Sequence, residues 1–118
     1  MYMSPRIEYK FINEWLQKLV GREITPINLV RQLGRRLSSR YPIEVKLYSA
    51  EKLKLEPGQF SFGGEYNVDA DEKGMRQFSL GLFMNHPKNE KYLITQRIAD
   101  IMGIEITEAL LHEYEHQD

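Results

Sequence analysis

Apolar residues in the first third of the chain recur every three or four positions. Ile7, Phe11, Trp15, Leu16 and Leu19 follow Ser4 and Pro5 and precede Gly21. This predicts an amphipathic helix with a capping serine, a proline at its first position and a glycine that ends it. Thr25 and Pro26 repeat the start signal, and Ile27, Val30, Leu33 and Leu37 predict a second helix reaching Ser39 or Arg40. After Tyr41 and Pro42 the period drops to two. Ile43, Val45 and Leu47 alternate with Glu44, Lys46 and Tyr48, as in a strand with one buried face. Residues 51–57 read as a loop or a short edge segment.

Residues 59–68 predict a second strand, with Phe60, Phe62, Tyr66 and Val68 around Gly63 and Gly64. Paired glycines inside a strand signal a bulge or a close backbone approach, and a simple bend is the reading favoured for this pair. The polar run from Asp69 to Gly74 makes a hairpin turn to a third strand over 75–84. It lacks the later glycine and bidentate glutamate of a calcium loop. In that third strand Phe78, Leu80, Leu82 and Met84 alternate with Gln77, Ser79, Gly81 and Phe83. A loop over 85–89 leads to a helix over 90–102, capped by Asn89, with Leu93, Ile94, Ile98, Ile101 and Met102 inward. Gly103 is expected to break it before a last helix over 106–117. The fold class is α+β: an antiparallel sheet of about three strands with two N-terminal helices and a C-terminal helix pair on one face.

The chain has 118 residues, 42% of them apolar and 28% charged, the profile of one soluble globular domain spanning 1–118. Sixteen Lys and Arg against 17 Asp and Glu give a net charge of -1, so no overall field recruits nucleic acid or anionic membrane. Arg31, Arg35, Arg36 and Arg40 cluster on the second helix but read as a solvated face, and a nucleic-acid partner is not expected. The start of the chain lacks a secretory pattern and no apolar run is long enough to span a membrane, which points to a cytoplasmic setting. With no cysteine, any zinc site must be built from histidine and carboxylate.

Two of the three histidines fall in His112-Glu-Tyr-Glu-His116, an HExxH pattern. Positions i and i+4 of a helix share a face, so His112 and His116 can present two imidazoles to one divalent ion, with Glu113 beside a water held there. Zinc lowers the pKa of a bound water to about 7, and a neighbouring carboxylate can then take its proton.

The stretch Ala109-Leu-Leu-His-Glu-Tyr-Glu-His-Gln117 resembles the active-site helix of the zincin metallopeptidases. Residues 78–85, ending in Asn85, resemble the strand that precedes the helices in small SprT-like and ImmA/IrrE-like members. The resemblance covers roughly residues 76–118. It implies Zn2+ as cofactor, His112 and His116 as metal ligands, Glu113 as catalytic general base, and a peptide or protein as substrate. The departure is the third ligand, which zincins take from residues downstream of the motif. Four readings stay open: the N-terminal part of a longer protein, a site completed by a second subunit in a homo-oligomer or assembly, an upstream substitute, or an inactive relative. Within the chain the candidates for a third ligand or a supporting partner are Glu108, one turn before His112, and His86, before Pro87. The alternative function is a non-catalytic structural or interaction module of a larger assembly, such as that of a phage.

Overall fold

The computed structural model describes residues 4–70 and 76–115, and the side chains among them other than those of 65–70, 76–78 and 114–115. The architecture is α+β, with three helices and two small sheets among the described residues.

Helix α1 (Pro5–Gln17) begins after Ser4 in extended conformation, with proline in its first turn as the sequence implies. Ile12, Leu16 and, just beyond the helix, Leu19 are buried, but Ile7 stands 55% exposed. Gly21, at φ 85°, turns the chain into β1 (Glu23–Ile24). Helix α2 (Pro26–Ser38) is capped by Thr25, whose Oγ1 accepts from the Asn28 N–H at 3.2 Å. Leu29, Val30, Leu33 and Leu37 form its buried stripe.

Strand β2 (Ile43–Ser49) follows, then turns over 50–58 with no strand, then β3 (Phe60–Ala70) and β4 (Arg76–Met84). The hairpin of β3 and β4 is antiparallel, as expected, although most of its turn, 71–75, lies outside the described residues. The sheet differs from the expected antiparallel arrangement. Its order is β2-β4-β3, and β2 runs parallel to the central β4. The physical reason lies in the connection. The chain leaves β2 along the turns over 50–58 and lays β3 against the far side of the place β4 then fills. The strand with the cleanest alternation thus lies in the middle, where both its edges are paired, and β3 is an outer strand.

Tyr92–Leu93 forms β5, which pairs antiparallel with β1 in a two-stranded ribbon. Gly21 N–H donates to Ile94 O at 2.8 Å and Ile94 N–H to Arg22 O at 2.9 Å, extending the ribbon past the start of β1 and the end of β5. Leu93, expected inside a helix, is therefore an exposed ribbon residue, while Ile94 is fully buried. Helix α3 (Gln96–Glu115) starts only after Thr95, whose Oγ1 accepts from the Ile98 N–H at 3.2 Å.

The expected helix pair is a single helix. Gly103 lies inside α3 and does not interrupt it, because its missing side chain serves packing. A Cβ there would stand 3.3 Å from Tyr9 Cε2 and 3.6 Å from Leu16 Cδ1, both of α1. Glycine lets α1 and α3 approach closely at a cost of about 1 kcal/mol in helix propensity. Ile101, expected inward, remains 38% exposed.

One row of the sheet shows how the layers meet. Val45 pairs with Leu80, and Leu80 with Gly64, so these three residues share a face. Gly34 of α2 approaches Val45, Leu80 is buried, and α3 packs over β3. Helices α2 and α3 thus cover the same side of the sheet.

Candidate functional site

The site is built by the phase of α3. Its fully buried residues are Ala99, Met102, Ile106 and Leu110, separated by three, four and four positions. The next position of that stripe is 113. Glu113 accordingly points into the protein and is only 6% exposed. His112, one residue earlier and about 100° round the helix, is exposed. The two described members of HExxH therefore face different ways: the glutamate toward the sheet, the histidine outward.

Glu113 reaches β3 at Gly64. A Cβ on Gly64 would lie 2.7 Å from Glu113 Cγ, 2.9 Å from Oε1 and 3.1 Å from Cδ, so the glutamate would have to shift to admit it. Of the three readings of paired glycines in a strand, Gly64 answers to close approach, and its φ is not positive. Gly63 faces the other side, where a Cβ would meet only Phe83 Cε2, at an ordinary 3.8 Å. Glu113 Oε2 is buried and has no hydrogen-bond partner among the described residues. A carboxylate oxygen held out of water without a donor is costly, and it fits a site that a donor or cation would complete.

A second carboxyl accompanies it. Glu105, two turns earlier on α3, is half-buried beside β3. Burial pushes its pKa up from the ordinary value, a hydrogen bond from the Phe62 backbone pulls it down, and the charge of Glu108 pushes it up again. Sequence reasoning missed both Glu105 and the partnership of Gly64 with Glu113.

Glu108 is exposed, one turn before His112. His86 lies elsewhere. Its Nε2 is 3.1 Å from Glu90 O and its ring meets Tyr92 edge-on at 5.2 Å, in the turn after β4. The β4 partner of Gly64 is Leu80, and His86 follows Met84, which puts about 13 Å of strand between it and Glu113. His116 lies outside the described residues. Among the described residues no group of three or more His, Asp or Glu is placed to hold a metal ion.

The arginine cluster on α2 is partly spent inside the fold. Arg36 Nη2 donates to Phe11 O at 2.8 Å, with its guanidinium 3.9 Å from the Phe11 ring centre. Arg40 pairs with Glu8 at 2.9 Å, while Arg31 and Arg35 are exposed. Among the described residues no helix is long and apolar enough to cross a membrane. Comparison with protein-family models, curated proteins and solved structures returns no match.

Proposed function

We propose that this chain carries the catalytic helix of a zincin-like, zinc-dependent peptidase acting on peptides or proteins in the cytoplasm. The observation that carries the reading is the Glu113 carboxylate. It belongs to an HExxH sequence, is buried against the outer strand β3, and has one oxygen without a donor among the described residues. A solvated helix with chance histidines gives no reason to bury that glutamate.

In this reading His112 and His116 hold the metal, and a third ligand comes from outside the described residues. Zinc, when bound, makes a water more acidic and polarises the scissile carbonyl. Glu113 takes the proton of the attacking water on its free oxygen and later gives it to the leaving amine. Glu108 stands one turn from His112, placed to fix the imidazole tautomer. Strand β3 has its second edge unpaired among the described residues, and that edge takes the substrate backbone as an added strand.

The test is Glu113→Gln in the full protein purified with zinc. The amide fills the same volume, so fold and zinc content are expected to hold while hydrolysis of an unfolded protein substrate falls about 10²–10⁴-fold. Retained turnover removes Glu113 as the base. Zinc-loaded wild-type protein that cleaves nothing favours the non-catalytic interaction module.

A further inference from the structure

We propose that Gly64 is a positioning residue for Glu113, and that its missing side chain is what admits the carboxylate to the site. The role rests on the peptidase reading, but the contact behind it can be tested without turnover.

Two glycines stand side by side in β3, and the strand gives them opposite faces. Neither has the positive φ that would demand glycine, so the need for it must come from space. At Gly63 there is room, because an added Cβ would make ordinary contact with the Phe83 ring. At Gly64 there is none, since the added atom would stand 2.7 Å from Glu113 Cγ. Cδ and Oε1 end a side chain, but Glu113 is only 6% exposed, so it has little room to give way. Glu113 springs from the buried stripe of α3, and Leu80 beside Gly64 is itself buried. With β4 fixed on one side and α3 on the other, any side chain at 64 drives the glutamate out of its place.

The carboxylate itself lies in the space a side chain would need: Oε1 is 2.9 Å and Cδ 3.1 Å from where a Gly64 Cβ would be, and Oε2 is buried with no hydrogen-bond partner among the described residues.

The experiment compares Gly64→Ala with Gly63→Ala, the same change one residue away. In thermal unfolding, Gly64→Ala is expected to lower the midpoint by about 5 °C or more, and the loss should vanish when Glu113→Ala is made in the same chain. Gly63→Ala should show no such coupling to position 113. In zinc-dependent peptide hydrolysis well below the midpoint, Gly64→Ala should lower kcat at least tenfold with KM within twofold and zinc content unchanged, a split that general loss of structure does not produce. Gly63→Ala should keep both constants within twofold. If the two alanine variants behave alike in the thermal cycle, or if Gly64→Ala keeps its kcat, the positioning role is overturned. If the cycle behaves as expected but the wild type shows no zinc-dependent turnover, the peptidase reading falls while the contact stands.

Discussion

Glu8 is buried in the first turn of α1, and its Oε1 accepts from Tyr41 Oη at 2.7 Å and from Arg40 Nε at 2.9 Å. This joins the start of α1 to the end of α2. Removing the Tyr41 hydroxyl withdraws one donor from a buried carboxylate, so Tyr41→Phe should cost about 1–2 kcal/mol in denaturant unfolding. Glu8→Ala removes the acceptor that both donors share and should cost more. The Tyr41 hydroxyl is held far above its ordinary pKa, mainly by burial and then by its bond to Glu8, so it stays protonated throughout the neutral range. A second prediction concerns Glu105, whose folded pKa is raised, chiefly by burial. The folded state then binds its proton more tightly than the unfolded chain does. The stability this contributes is complete below the ordinary glutamate range and is lost as pH rises through the folded value. Glu105→Gln should therefore raise the thermal midpoint at pH 7, and the gain should fade below about pH 4. An equal gain at both pH values would show that burial of the charge is not the cause. Neither carboxylate was legible in the sequence. Glu8 looks like an ordinary first-turn acid, and its partners lie 32 and 33 residues away.

Helices α1 and α2 and strands β2, β3 and β4 were legible because proline starts and clean alternation agree with the packing, whereas the two-residue strand β1 left no pattern. The region after them was misread for two physical reasons. Residues 90–95 have helix-compatible composition, but β1 supplies ribbon partners that outcompete a helical turn. Gly103 costs helix propensity, yet α1 crosses there and the close contact outweighs it. Lengthening that side chain tests the point. Gly103→Leu would drive atoms into Tyr9, Asn13 and Leu16, with an expected loss of about 1–3 kcal/mol in chemical denaturation. A neutral outcome would mean that α1 and α3 can separate freely. The same helix explains what was readable of the site. The four-residue spacing of His112 and His116 is visible in the sequence. The burial of Glu113 follows from extending the stripe Ile106–Leu110 by three, a signal that was present and unused. Its meeting with Gly64 depends on how α3 lies across β3, which no local pattern encodes.

At the scale of the molecule, an outer strand and a buried-stripe helix converge on one carboxylate. Helix α2 holds β2, the central β4 ties β2 to β3, and α1 holds α3 in turn. The site thus sits at the end of a chain of packed elements. This arrangement makes chemical sense if a metal lies on the exposed side of α3, where His112 stands, with the glutamate behind it. The most direct test is metal analysis of the full protein purified in the presence of zinc, alongside the variant carrying His112→Ala and His116→Ala. The account predicts about one zinc per chain in the wild type and none above background in the double variant. A double variant that keeps its zinc, or a wild type that binds none, would contradict it.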